Sequence, residues 1–413
     1  MVQPSDSYAP AESAGALNRI VSLDILRGMA LMGMILVHFH QKMEVEVEAG
    51  LEGLIGWIIW MGVEGKSWAT FAFLFGAGFA VLMRRLEARG KPVIAIFVRR
   101  MVVLGVIGAA VVVLTGFTIL LDYAIWGIPL LLVRNWSTRG LLILAVAAAM
   151  ASTIVRVASS AIEISRIGPE RHAIEMKERQ QRSAEKWKLV ANAESTKSFS
   201  EAVRLRWSHA KWQYLRWDTL IPSSNLVLFI LGLLAIRHRI FDDPRAKQRV
   251  IVIAMLIGLV SWAGEWWLLP RISGDTAIGG VTIPFQRGLG VVRDQWMALT
   301  YIGAVTLLLA HVPSAARRLL VFGVPGRMAL TNYVVQAVVI SWLAFGYGLS
   351  LEVRPYFVVL WTIGLFAALA AFSKLWLKRF RFGPLEWVWR SLTYLEWPAS
   401  RATRDDRPTI PFG

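Results

Sequence analysis

The chain has 413 residues, of which 56% are hydrophobic and 18% charged, and its mean hydropathy is +0.51. Soluble globular proteins carry about 45–50% apolar and about 25% charged residues, so this composition excludes a soluble multidomain protein. The absence of cysteine excludes a disulfide-stapled secreted fold, thiol catalysis and cysteine-based metal sites. We therefore predict an all-α fold, a polytopic membrane helix bundle.

About ten segments are apolar and long enough to be transmembrane helices, because a membrane-crossing helix needs about 20 mostly apolar residues. They lie near residues 20–40, 56–83, 99–117, 118–134, 140–161, 222–237, 249–269, 294–311, 328–349 and 355–377. We predict an N-terminal tail over 1–18, an integral membrane domain over 19–397 and a C-terminal tail over 398–413.

The formal net charge of +17 comes mostly from basic residues at the ends of apolar segments. Five basic stretches fall on one side if the segments alternate, at 84–100, 134–139, 237–249, 317–327 and 374–381. Positive charge collects on the cytoplasmic side of membrane proteins, so we predict that both termini are cytoplasmic. The partner of this charge is then the lipid bilayer, and no nucleic acid is expected.

Residues 162–221 form a polar stretch that this count places on the opposite side. Within it, apolar residues recur every three or four positions at Phe199, Val203, Trp207, Ala210, Tyr214 and Trp217. That spacing predicts an amphipathic helix lying in the membrane interface. The alternative is a lid over an acceptor site.

The first span contains ionisable residues, which are costly inside a bilayer and therefore indicate a partner or a polar cavity. Asp24 and Arg27 share one helical face, so they form either a structural ion pair or a site where Arg27 binds a phosphate or carboxylate. His38 lies three turns further on nearly the same face, where a neutral imidazole can accept a proton. The structural alternative is a histidine hydrogen-bonded to a neighbour.

Polar residues also occur at the ends of later helices. Glu64 precedes a helix predicted over 66–83, and either caps that helix or faces a site. Asn332 opens the ninth span next to Arg327 and is expected to hydrogen-bond another helix. Glu386 and Arg390 are four residues apart, a spacing that favours an ion pair on a cytoplasmic helix.

Four strings give the chain a family resemblance over roughly residues 20–395: LDILRG at 23–28, TFAFLFGAG at 70–78, GRMALTNY at 326–333 and FGPLEWVWRS at 382–391. They resemble the YeiB-type family of bacterial membrane proteins, which is related to multi-pass acyltransferases such as heparan-α-glucosaminide N-acetyltransferase. Two motifs depart from the family pattern: residues 108–111 lack the expected histidine, and Asp122 is displaced from the usual aspartate position.

The resemblance implies a protein of the bacterial cytoplasmic (inner) membrane that moves an acyl group from a cytoplasmic thioester to a small-molecule or sugar acceptor. The implied donor is acyl-CoA, with acetyl-CoA the expected form, and no metal is expected. We predict His38 as general base and Glu64 as its orienter or a second acid/base. The predicted binding residues are Asp24, Arg27, Arg327, Asn332, Glu386 and Arg390. The alternatives are a transporter or exporter of small solutes and a non-catalytic membrane scaffold.

Overall fold

The computed structural model describes residues 10–43, 50–214, 224–272, 282–398 and 400–401. Within those ranges every regular element is an α-helix, which confirms the predicted all-α class. The helices are α1 (Pro10–Met43), α2 (Gly50–Gly62), α3 (Lys66–Ala88), α4 (Val93–Thr115), α5 (Leu120–Val133), α6 (Thr138–Ile167), α7 (Pro169–Ser195), α8 (Phe199–Tyr214), α9 (Ser224–Arg237), α10 (Gln248–Ile272), α11 (Thr282–His311), α12 (Pro313–Arg327), α13 (Ala329–Ala344), α14 (Pro355–Leu377) and α15 (Pro384–Tyr394).

Four stretches are long and apolar enough to cross a membrane: Val21–Met43, Gly50–Ala88, Val93–Thr115 and Pro355–Leu377. Six shorter apolar helices accompany them in the described part of the chain, so the set agrees with a polytopic bundle. The apolar segment near 56–83 consists of two helices, α2 and α3, and α3 begins at Lys66, where a helix over 66–83 was predicted. Gly65 has a φ of 80° there, a left-handed conformation that ends one helix and starts the next.

Helices α1 and α12 touch through their backbones at two glycines. A Cβ at Gly28 would lie 1.9 Å from the carbonyl oxygen of Phe322, and one at Gly326 would lie 1.9 Å from that of Asp24. Small residues at such crossings let membrane helices approach closely. The contact sets Arg27 and Arg327, each next to one of these glycines, at the same level of the bundle.

The basic loops meet at one end of the molecule, as predicted from their charge. The Arg84 guanidinium donates to the Ile236 carbonyl (3.0 Å), Arg237 donates to the Arg134 carbonyl (2.6 Å), and Arg245 donates to the Ala310 carbonyl (2.7 Å). Of these three acceptors, Ile236 and Ala310 belong to the last turns of helices, where the helix dipole favours cations. We call this the basic end; its cytoplasmic location remains a prediction.

The described part of the polar stretch, residues 162–214, holds more helix than predicted, since α7 precedes the expected amphipathic helix α8. The pair lies at the end opposite the basic end: Lys42 Nζ is 2.5 Å from Glu194 Oε1, and Arg206 donates to the Leu114 carbonyl (2.5 Å). The face of α8 that packs inward contains Arg206 and His209, whereas Phe199 and Trp207 of the predicted stripe are each 48% exposed. Contact of that stripe with the membrane interface stays a prediction, and Trp217 lies outside the described residues.

Candidate functional site

A cavity of about 470 Å³ opens at the basic end between α1, α3, α4, α5, α12, α13 and α15. Its lining contains six arginines: Arg27, Arg85, Arg100, Arg327, Arg381 and Arg390. In the described part of the chain, two carboxylates accompany them in the lining, Asp24 and Glu386. The rest of the wall is largely apolar and aromatic, so the cavity suits an amphipathic anion.

On α1, Asp24 and Arg27 both line the cavity and form the predicted pair, with Asp24 Oδ1 2.6 Å from Arg27 Nη1. Asp24 is buried, and Arg27 is half-buried. One carboxylate oxygen therefore orients the guanidinium, whose planar fork has five N–H donors in all. Arg27 can hold this pair and still donate to an anion in the cavity.

Two further arginines are positioned by aromatic rings. The Arg100 guanidinium lies 3.5 Å from the centroid of the Trp389 ring, and that of Arg390 lies 4.5 Å from the Phe382 ring. Stacking fixes the plane of a guanidinium and leaves its edge donors able to bind phosphate or carboxylate in a bidentate manner. The sequence reasoning missed Arg85, Arg100 and Arg381 as lining residues, because their positions in basic loops indicated only membrane orientation.

Glu386 has a different partner from the one predicted. Its Oε1 accepts hydrogen bonds from the backbone N–H groups of Leu330 (2.8 Å) and Thr331 (3.0 Å), and its Oε2 accepts one from the Thr331 hydroxyl (2.5 Å). Glu386 thus caps the first turn of α13 from α15 instead of pairing with Arg390 on its own helix. Burial raises the pKa of the Glu386 carboxyl group, although the hydrogen bonds from Thr331 and Leu330 act in the opposite direction.

Asn332 is fully buried and lies outside the cavity lining. Its Nδ2 donates to the Pro325 carbonyl (3.0 Å) and to Ser373 Oγ (2.9 Å), so it joins α13 to α12 and α14. This confirms the expected bond to another helix. The predicted role of Asn332 in ligand binding stays a prediction, and the residue is not among those that line the cavity.

His38 and Glu64, predicted to act together, have separate partners. Gln336 Oε1 lies 3.2 Å and Gln336 Nε2 lies 3.1 Å from His38 Nδ1, and the imidazole packs on Phe117 with ring centroids 4.4 Å apart. Glu64 instead accepts a hydrogen bond from Gln41 Nε2 (2.7 Å). Gln336, which is buried on α13, orients the imidazole, and no signal in the sequence distinguishes it from other polar residues on membrane helices.

The His38–Gln336 pair lies deeper in the bundle than the arginines. His38 follows Arg27 by eleven residues, or about 16 Å along α1. On α13, Tyr333 lines the cavity and its hydroxyl accepts a hydrogen bond from the Ile119 backbone N–H (3.0 Å); Gln336 follows about one turn later. The pair is thus about one helical turn beyond the inner wall of the cavity.

Several relatives and two protein families match this chain. Residues 19–166 match the family described as heparan-alpha-glucosaminide N-acetyltransferase, catalytic, and residues 235–396 match the family described as protein of unknown function (DUF418). No solved structure matches.

Among individual proteins, the chain is 29% identical to the uncharacterized protein YxaH of Bacillus subtilis, covering 94% of this chain and 97% of that protein. It is 26% identical to an uncharacterized 39.9 kDa protein of Bacillus acidopullulyticus, over 91% of this chain and 94% of that protein. It is also 29% identical to the uncharacterized protein YeiB of Escherichia coli, over 40% of each chain. Together these matches support a YeiB-type membrane protein family for this chain, related to acyltransferases of the heparan-α-glucosaminide N-acetyltransferase kind.

Proposed function

We propose that this protein is an integral-membrane acyltransferase that takes an acyl group from a cytoplasmic thioester donor and transfers it to a small-molecule or sugar acceptor. The observation that carries the proposal is the arrangement along α1 and α13. Arg27 and the Arg327 preceding α13 line an anion-binding cavity at the basic end. His38 and Gln336 lie deeper on the same two helices and form a base with its orienting partner.

Acyl-CoA fits this cavity as the donor class, with acetyl-CoA the expected form. Its phosphates match the arginine cluster, because guanidinium groups bind phosphate oxygens through paired, charge-assisted hydrogen bonds. The apolar wall toward Phe75 and Tyr123 suits the less polar arm that carries the thioester. An extended donor held at the arginines would direct that thioester toward the inner wall and His38.

His38 has the chemistry of a general base. When its Nδ1–H donates to Gln336 Oε1, its Nε2 carries the lone pair that accepts a proton. The acceptor hydroxyl or amine gives its proton to Nε2 as its oxygen or nitrogen bonds to the carbonyl carbon of the thioester. The carbon–sulfur bond then breaks, and the departing thiolate takes the proton from His38. Glu64, bonded to Gln41 one turn beyond His38, is the proposed second acid/base on the acceptor side.

The test uses the full-length protein in lipid nanodiscs with radiolabelled acetyl-CoA, measuring donor binding and release of free CoA. We expect Arg327→Gln to weaken donor binding about tenfold, a loss of about 1.4 kcal/mol. Arg318→Gln is the matched control, because Arg318 is an exposed arginine on the same helix that does not line the cavity.

We expect His38→Ala to retain donor binding and to lose acyl transfer. Equal binding by wild type, Arg327→Gln and Arg318→Gln would contradict the assignment of the cavity. Unchanged transfer by His38→Ala would contradict the assignment of the base. Flux of an intact solute through sealed vesicles without CoA release would favour the transporter hypothesis instead.

A further inference from the structure

A second concave site lies on the outer surface of the bundle, between α1, α13 and α14. This groove has a volume of about 380 Å³ and is lined by apolar and aromatic residues, including Phe39, Val339, Phe357, Leu360, Trp361 and Gly364. Three large side chains among them belong to the candidate membrane span Pro355–Leu377 and are exposed: Phe357 by 43%, Leu360 by 59% and Trp361 by 38%. The groove therefore opens toward the hydrocarbon of the bilayer.

The shape of the groove suits a single hydrocarbon chain. Its lining on α14 runs from Phe357 to Leu365, about 12 Å along the helix, which is most of the roughly 15 Å depth of one leaflet. Gly364 contributes no side chain, and a Cβ built there would meet no described atom within 4 Å. The missing side chain at this position thus leaves open space beside α14 where a chain can lie.

A cationic group stands one turn from the groove, at the membrane boundary. Arg354 is the N-cap residue of α14, and its side chain is 67% exposed. Its guanidinium is 3.8 Å from the Glu52 carboxylate, and the two are only loosely paired. The Arg354 charge and the positive end of the α14 dipole together favour a phosphate at this level.

We propose that the groove binds one acyl chain of a bilayer phospholipid whose phosphate lies at Arg354. Lipid tails are as apolar as leucine, so the binding comes from close packing in a concave site and from the phosphate contact. A second copy of this protein is a poorer occupant, since a specific protein interface buries roughly 1,200 Å² or more and a groove one chain wide offers little of that.

The bound chain has a structural consequence for the deeper polar pair. Phe39 adjoins His38 in sequence, and Val339 follows Gln336 by about one turn of α13. A chain packed on both residues braces the contact between α1 and α13 that holds His38 against Gln336. The lipid site nevertheless stands on its own geometry and does not depend on the proposed acyl transfer.

The experiment uses the full-length protein in nanodiscs that contain an anionic phospholipid with a photoactivatable group in its acyl chain. Labelled peptides of α14 are mapped by mass spectrometry. We expect labelling concentrated at 357–365, and about a tenfold decrease in Gly364→Leu, whose new side chain fills open space. Ala371→Leu is the control, since it adds similar bulk to an exposed position two turns along the same face, outside the groove.

Uniform labelling along the exposed face of α14, or labelling at 357–365 that persists in Gly364→Leu, would overturn the proposal. Chain-to-chain cross-links through 357–365 would also overturn it, in favour of a second copy. We expect Arg354→Gln to reduce labelling by the phospholipid several-fold relative to labelling by a diacylglycerol probe that carries the same photoactivatable chain but no phosphate. An unchanged ratio would refute the phosphate position. Loss of labelling in Gly364→Leu with normal acetyl-CoA binding would separate this site from the arginine cavity.

Discussion

Replacing Glu386 tests whether α15 holds the first turn of α13 in place, and with it the wall of the arginine cavity. Glu386→Ala removes three hydrogen bonds, those from the Leu330 and Thr331 backbone N–H groups and from the Thr331 hydroxyl. Loss of a helix cap costs about 0.5–2 kcal/mol, and hydrogen bonds to a charged group contribute about 1.5–3 kcal/mol. We expect a decrease of about 2–3 kcal/mol in the free energy of unfolding.

Glu386→Gln retains a side-chain oxygen for the two backbone donors, so we expect a loss of only about 1 kcal/mol. The assay is thermal unfolding followed by tryptophan fluorescence in mild detergent. Glu396→Gln serves as control, because the Glu396 side chain is 68% exposed and its contact with Lys91 is long (3.7 Å). A transition temperature for Glu386→Ala equal to that of the control would refute the capping role.

The same variants test the direction of the Glu386 pKa. Burial raises the pKa of this carboxyl group in the folded protein, so folding favours its protonated form. Its contribution to stability is complete below the pKa of the unfolded chain and is lost as pH rises through the folded pKa. The transition temperature of wild type minus that of Glu386→Gln should therefore decrease from acid to neutral pH. An increase would mean that the hydrogen bonds outweigh burial.

Three further substitutions test other contacts. Gly326→Val should prevent the close approach of α1 and α12 and sharply lower the yield of monodisperse protein. Gly62→Ala is the control and should behave as wild type, because a Cβ at Gly62 meets no described atom within 4 Å. Gln336→Leu should reduce kcat about tenfold and shift the pH profile of kcat, with the KM for the donor unchanged. An unaltered pH profile would argue against the proposal that Gln336 orients the His38 imidazole. Arg206→Gln removes the hydrogen bond from α8 to the Leu114 carbonyl and should speed proteolysis between α7 and α8, while Arg204→Gln should not. Equal cleavage rates in the two variants would be inconsistent with a role of Arg206 in holding α8 in place.

Apolar run length and basic flanks were enough to predict the bundle and the common end of the basic loops. Both follow from the free energy of placing apolar or charged residues in a bilayer. That free energy depends on the composition of each segment and not on its contacts with other segments. The start of a helix at residue 66 was predicted, but the positive φ of Gly65 and the additional helix α7 were not. A glycine within an apolar run does not reveal its backbone conformation, and the polar composition of 169–195 is typical of loops as well as of solvent-exposed helices.

The candidate site was predicted in part. Asp24 and Arg27 on α1, Arg327 before α13, and Glu386 and Arg390 on α15 do meet around one cavity. Placing such residues within or beside the bilayer costs free energy, so they are retained where they have a partner or a cavity. That is why these residues were selected as candidates. What each of them contacts could not be predicted, because a hydrogen bond such as that of Glu386 with Thr331 joins helices more than fifty residues apart in sequence.

By itself, the sequence determined that this chain is a membrane bundle with one basic end, because hydropathy and charge act on each helix separately. Only the tertiary structure decided that His38 faces Gln336 instead of Glu64, and that six arginines share one cavity. Those outcomes depend on how helices distant in sequence cross, and the crossings are set by close packing at positions such as Gly28 and Gly326.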